Sequence, residues 1–157
     1  MKPKVYIETT IISYLTGRQS RDIVIAAHQQ ITGEWWRTRR HLFGLYASQL
    51  VEKEAGVGDE EKAKMRLDML KETELLEITE PALSLAEVFI KERVIPQKAA
   101  EDALHIAVAV VNGIDYLISW NCKHIANAKM RSKIENVCLS CGYEPIVICT
   151  PEELLED

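Results

Sequence analysis

Four oxygen-bearing side chains, Glu8, Glu54, Asp102 and Asn121, each stand at the end of an expected strand or the start of an expected helix. Where strands and helices alternate, such positions converge on one edge of a parallel sheet, the edge at which open α/β folds bind ligands. Oxygen donors gathered there suit a hard cation such as Mg2+ or Mn2+. Each residue also has a plainer explanation. Glu8 directly follows an apolar strand, where a charge needs a metal, solvent at the strand's end, or the backbone N–H groups of the next helix. Glu54 lies about one and a half turns beyond Ser48 and points back towards the sheet edge, or is an ordinary charged helix residue. Glu52 sits about 200° away around that helix and cannot share its face. Asp102 opens a helix that is apolar on nearly every side, where the helix dipole alone favours an acid. His105, three residues on, either reaches the same face or is an imidazole satisfied in the core. Asn121 ligates through its carbonyl oxygen, orients a water, or simply makes a turn; it brings no negative charge.

The elements that must position these residues follow from local patterning. Val5 to Ile7 is a short strand that feeds a helix through Ile11, Ile12 and Leu15, ended by Gly17. Ser20 or Asp22 caps the next helix, which runs from Ile23 towards Trp35 and Trp36. A second strand is expected over Leu42 to Ala47, with Ser48 capping a helix that Gly56 and Gly58 close. Ala63, Leu67 and Leu70 among charged neighbours make an amphipathic helix over Glu60 to Lys71. Leu75 to Ile78 is a third strand, and Thr79 caps a helix with Pro81 in its first turn. Ala99 to Val111 is the expected central helix, Tyr116 to Ser119 a further strand, and Ile125 to Cys141 a helix stopped by Gly142. Ile146 to Ile148 is the last strand, followed by a capping box at Thr150 and Glu153. The economical reading is one α/β domain over residues 1–157, with a mostly parallel, twisted sheet of four to five short strands covered by helices on both faces.

Composition sets limits on function. With 47% hydrophobic and 27% charged residues in 157, the chain can bury a sizeable core, which excludes a disordered or fibrous protein. No apolar run approaches the ~20 residues of a membrane span, and the opening Met1-Lys2-Pro3-Lys4 leads straight into a strand, so no membrane partner and a cytoplasmic protein are expected. Cys122, Cys138, Cys141 and Cys149 crowd the last quarter, a poor framework for stapling a domain. The net charge of −5 argues weakly against a nucleic-acid partner, although carboxylates around a cation account for part of it.

The runs Val5-Tyr6-Ile7-Glu8-Thr9-Thr10, Ser48 to Glu54, Glu101-Asp102-Ala103-Leu104-His105-Ile106-Ala107 and Leu117-Ile118-Ser119-Trp120-Asn121 resemble, in order and spacing, the four acidic blocks of PIN domains, the nuclease fold of VapC-type toxins. The resemblance spans nearly the whole chain. It implies a Mg2+- or Mn2+-dependent endoribonuclease, often the toxin of a toxin–antitoxin pair, with an RNA substrate, a small antitoxin partner and a homodimer. By the same resemblance, Glu8, Glu54, Asp102 and Asn121 are the catalytic set. Glu8 and Asp102 hold the metal together with Glu54, which also orients or deprotonates the attacking water. Thr9, Ser119 and Asn121 support these groups, and the products carry a 5′-phosphate and a 3′-hydroxyl. Two departures stand out: glutamate replaces the usual aspartate at position 8, and asparagine replaces an acid at position 121, which removes a charge that a second ion would need.

Other readings remain beside this one. Arg37, Arg39, Arg40 and His41, next to Trp35 and Trp36, form either a nucleic-acid grip or a solvated helix end with core tryptophans. Cys138 and Cys141, with Cys122 and His124, offer a zinc or redox motif against a default of free thiols. A PIN-like module that binds RNA or protein with weak or no catalysis is the alternative function, motivated by Glu8 and Asn121. The apolar helices from Ala26 to Trp36 and Ala63 to Leu70 are candidate dimer surfaces.

Overall fold

The computed structural model describes residues 1–156. Five strands form one wholly parallel sheet: β1 (Lys4–Ile7), β2 (Gly44–Ser48), β3 (Glu74–Leu76), β4 (Tyr116–Ile118) and β5 (Val147–Cys149). Their order is β3-β2-β1-β4-β5. Seven helices connect them: α1 (Thr9–Thr16), α2 (Ile23–Thr38), α3 (Gln49–Ala55), α4 (Glu60–Leu70), α5 (Glu80–Lys91), α6 (Ala100–Val111) and α7 (Ala128–Ser140). The chain builds outward from β1 to β3, then returns to place β4 on the other flank of β1. Right-handed crossovers therefore lay α1 to α4 on one face and α5 to α7 on the other. Consistent with this, α1 packs on α2, α3 and α4, while α5 packs on α6 and α7.

Residues Val5, Tyr6 and Ile7 of the central strand are fully buried. A strand covered on both faces reads as a continuous apolar run rather than an alternating one. Helix α6 buries Ala103 and every residue from His105 to Val110, so its lack of a polar face follows from its place in the core. The direction of the chain reverses across β1 and β4, and the crevice beyond their carboxyl ends is the ligand position that such topology creates. Glu8 and Ser119 follow those two ends directly. The Glu8 N–H donates to Ile118 O at 3.3 Å and the Ser119 N–H to Cys149 O at 3.1 Å, which fixes both residues to the sheet.

Several boundaries differ from those read off the sequence. Residues Arg40–Leu42 form a 3-10 turn, and β2 begins only at Gly44. Strand β3 stops at Leu76, because the Ile78 N–H turns to the Gln49 side chain at 3.0 Å instead of to the sheet. Helix α7 starts at Ala128 rather than Ile125. Asn127 caps it, accepting from Lys129 N at 3.0 Å, while Ile125 and Ala126 are buried as loop anchors. The capping box at Thr150 and Glu153 opens a single 3-10 turn, Pro151–Leu154, not a longer helix. Ala63, Leu70, Trp35 and Trp36 are buried within the chain itself, while Ala27 of α2 and Met65 of α4 are exposed. The large exposed apolar residues of α2 are Ile23, Val24 and Ile25 at its start.

Candidate active site

Glu8 is the N-cap of α1 and is 4% exposed. Its Oε1 accepts from Thr10 N at 3.1 Å, Thr10 Oγ1 at 2.5 Å and Ser119 Oγ at 2.7 Å. Three donors on one oxygen fix the side chain. Its Oε2 makes no hydrogen bond among the described residues. Both hydroxyls act as bridges: Thr10 Oγ1 also accepts from Trp120 N at 2.9 Å, and Ser119 Oγ from Asn121 N at 2.9 Å. The loop after β4 is thereby clamped to the start of α1.

Asp102, in the first turn of α6, is reached from that same loop. Its Oδ1 accepts from Asn121 Nδ2 at 3.1 Å, and its Oδ2 lies 3.3 Å from His124 Nδ1. Glu54 enters from α3, and its Oε1 accepts from Thr9 Oγ1 at 2.5 Å and from His105 Nε2 at 2.7 Å. Glu52 is exposed and faces away. Burial acts to raise the Glu54 pKa, but the hydrogen bond from His105, with that of the Thr9 hydroxyl, holds it below the usual carboxylate value.

Behind Glu54 lies a buried chain of polar groups. His105 Nδ1 is 2.7 Å from the Tyr6 hydroxyl, which is 2.7 Å from Ser48 Oγ, and Ser48 Oγ accepts from Val51 N at 3.3 Å. A carboxylate only accepts, so His105 donates from Nε2 to Glu54; its Nδ1 then accepts from Tyr6, and Tyr6 accepts from Ser48. Every donor in this series has an acceptor. Burial pushes the Tyr6 phenol strongly up, which keeps its proton in place. The sequence pointed to His105 through its spacing from Asp102 and to Ser48 as a cap. Tyr6 and Thr10 carried no local signal, and His124 was considered only for a cysteine site.

Among the described residues, no three His, Cys, Asp or Glu side chains close into a ready-made ion cage. A zinc site needs four tightly spaced ligands, whereas Cys138 is buried and Cys122 and Cys141 are exposed. Mg2+ differs, since it keeps several waters and binds through one or two carboxylates. Glu8 and Asp102 are the carboxylates joined to the two ends of the Ser119–Asn121 bridge.

The basic run falls elsewhere. Helix α2 carries the chain back along the sheet, so its end lies beside the amino ends of the strands, where Gly44 pairs with Lys4. Arg39 Nε donates to Leu155 O at 2.5 Å, Arg40 lies 4.6 Å from the centre of the Trp36 ring, and Arg37 is exposed. These three arginines sit at the opposite edge from the carboxylates. Trp35 and Trp36 are core residues.

No family model matches the sequence, and no curated protein matches it. Solved structures do. The VapC20 toxin of Mycobacterium tuberculosis, described as cleaving the sarcin-ricin loop, superposes with a TM-score of 0.61 at 12% identity, over 76% of this chain and 92% of that one. VapBC2 of Rickettsia felis, solved bound to a DNA fragment from its promoter, superposes with a TM-score of 0.58 at 13% identity, over 92% and 96%. At such identities the likeness is one of fold, and this chain has the PIN-type fold of the VapC toxins.

Proposed function

We propose that the protein is a metal-dependent endoribonuclease of the VapC kind, acting on RNA phosphodiester bonds. What supports this reading is that Glu8 is bonded to Ser119, Glu54 to Thr9 and Asp102 to Asn121, so each carboxylate is tied to a residue just beyond the carboxyl end of β1 or β4, in a fold like that of VapC toxins. Glu8 and Asp102 would hold Mg2+ or Mn2+ with Glu54 beside them. The ion, when bound, supplies Lewis-acid activation of a phosphodiester and of water. Glu54 accepts the proton of the attacking water, for which a carboxylate kept ionised and aimed by two donors is suited. His105, Tyr6 and Ser48 hold Glu54 from behind, and Thr9 holds it from the side. Thr10 and Ser119 fix Glu8, while Asn121 fixes Asp102 and positions rather than ligates. Attack in line with the leaving oxygen yields a 5′-phosphate and a 3′-hydroxyl.

A small antitoxin and a second copy of the chain are the protein partners this reading brings, with Ile23, Val24 and Ile25 as the exposed apolar patch open to either. Light scattering of the purified chain tests the dimer. Among the described residues, no helix is long and apolar enough to cross a membrane.

The nuclease is tested on labelled single-stranded and structured RNAs with Mn2+, Mg2+ or EDTA, beside Asp102→Asn. Metal-dependent cutting that the substitution abolishes is the expected result. Equal cutting by both proteins would expose a contaminant, and RNA binding without cutting would assign the chain to the binding-module alternative.

A further inference from the structure

Trp120 stands between the two residues that touch the carboxylates: the Ser119 hydroxyl donates to Glu8 at 2.7 Å and the Asn121 carboxamide to Asp102 at 3.1 Å. The indole itself bonds to neither acid, and the residue is half-buried rather than packed away. It is fixed from three sides. Its backbone N–H donates to Thr10 Oγ1 at 2.9 Å, and its indole Nε1 donates to Thr32 Oγ1 at 2.7 Å. On the third side His28 of α2 lies flat against the ring, with centroids 3.9 Å apart and planes 9° from parallel. His28 is also half-buried, and neither of its ring nitrogens has a hydrogen-bond partner among the described residues. An imidazole placed only to fill a core finds such partners, as His105 does through both nitrogens.

The rim beside this stack offers cations, although the chain as a whole carries −5. Gln29, next to His28, holds the turn between α1 and α2: its Nε2 donates to Arg18 O and its Oε1 accepts from Ser20 N, both at 2.9 Å. That turn presents Arg18 and Arg21, and the Trp120 loop presents Lys123. All three are exposed, and none forms an ion pair among the described residues. Asp22, beside Arg21, is committed to capping α2 through Val24 N and Ile25 N. A braced aromatic surface flanked by unpaired cations suits single-stranded nucleic acid, whose bases stack on the rings while its phosphates meet the charges. Paired bases are already stacked on one another and cannot use it.

We infer that the His28–Trp120 stack is a base-binding subsite, on which an unpaired nucleobase next to the scissile phosphate lies, with Arg18, Arg21 and Lys123 meeting the flanking phosphates. The inference rests on the nuclease reading above for the polymer that is bound. It gives the site a preference for single-stranded over paired RNA. Because Trp120 adjoins both Ser119 and Asn121 in the chain, a base seated there sets the position of the neighbouring phosphodiester against Glu8 and Asp102. The three anchors leave the indole little freedom to lose on binding, which favours affinity.

The test titrates the full chain into a single-stranded RNA carrying 2-aminopurine, whose fluorescence falls when the base stacks, in EDTA so that no cutting intervenes. Wild type should quench the probe and bind its fully paired duplex more weakly. Trp120→Leu should abolish quenching and weaken binding by about tenfold, the scale of one lost stacking contact, while Trp120→Tyr restores most of both. Thermal melting shows that each variant is folded. Arg18→Ala with Arg21→Ala changes only exposed positions, so it tests the same track without touching the core. It should weaken binding and lower the slope of log affinity against log salt by about 1.4, at ~0.7 per phosphate contact on a single strand. Quenching retained in folded Trp120→Leu, a duplex bound as tightly as the single strand, or a salt slope unchanged in the arginine variant overturns the subsite. Failure of wild type to bind the probe overturns it too, and metal-dependent cutting measured separately then leaves the nuclease reading standing. Quenching by a chain that cuts no RNA with Mn2+ or Mg2+ would remove the nuclease reading and support the subsite alone.

Discussion

Replacing Tyr6 by phenylalanine removes one oxygen from the middle of the buried series that ends on Glu54. The ring, its volume and its edge-on contact with His105 at 5.9 Å between centroids remain, so almost no cavity forms. What is lost is the donor to His105 Nδ1, in a side chain with no exposure to water. A buried acceptor deprived of its partner costs about 1–3 kcal/mol. Ser48 still accepts from Val51 N, so its share of the loss is smaller. Taking ~2 kcal/mol, and a midpoint shift of about 2–4 °C per kcal/mol for a chain of this size, Tyr6→Phe should melt ~4–8 °C lower. Urea denaturation read by circular dichroism measures the change. Tyr143→Phe, whose hydroxyl has no hydrogen-bond partner among the described residues, is the control and should stay within ~0.5 kcal/mol. Because His105 aims Glu54, the double variant Tyr6→Phe, Glu54→Gln should be less destabilised than the sum of the two single changes. A stability for Tyr6→Phe within about 0.3 kcal/mol of wild type, or strict additivity, would refute the relay from Ser48 to Glu54.

The depressed Glu54 pKa fixes the sign of a pH effect. A carboxyl whose folded pKa lies below its unfolded value contributes stability above the unfolded value and loses it as pH falls through the folded one. The stability gap between wild type and Glu54→Gln should thus be steady at neutral pH and narrow as pH drops below about 4.5; a gap that widens on acidification would be the wrong sign. Burial pushes the Cys138 thiol up to about 11 and the Cys149 thiol up to about 12. A thiol-reactive disulfide reagent at pH 8 should therefore modify Cys122 and Cys141 promptly and the other two only after unfolding, as counted by mass spectrometry. Arg37→Ala and Arg40→Ala should leave RNA cleavage rates within about twofold, since both lie at the far edge of the sheet; a loss of more than tenfold would place substrate there after all.

The alternation of strands and helices, the caps at Asp22 and Ser48, and the carboxylates at element ends are properties of short segments, so they were open to sequence reasoning. Asp22 caps α2 through Val24 N and Ile25 N as its position suggests. Misplaced boundaries fall where a side chain competes with the backbone, as Gln49 does for Ile78 and Asn127 does at the start of α7. The tryptophan and arginine cluster was legible as a cluster but not as a location, because periodicity says which face of a helix is apolar and not which edge of the sheet its end meets.

Residue types and local periods were enough to establish the α/β class, an apolar central helix and an acid at the close of β1. The strand order β3-β2-β1-β4-β5 decided the rest. It brings Ser119 against Glu8 and Tyr6 against His105, contacts that span 111 and 99 residues. It sets Asn121 and His124 on Asp102 and carries the arginines to the opposite edge. Such contacts have no local signature, since they depend on how the chain reverses across the sheet, and only packing of the complete core selects that path.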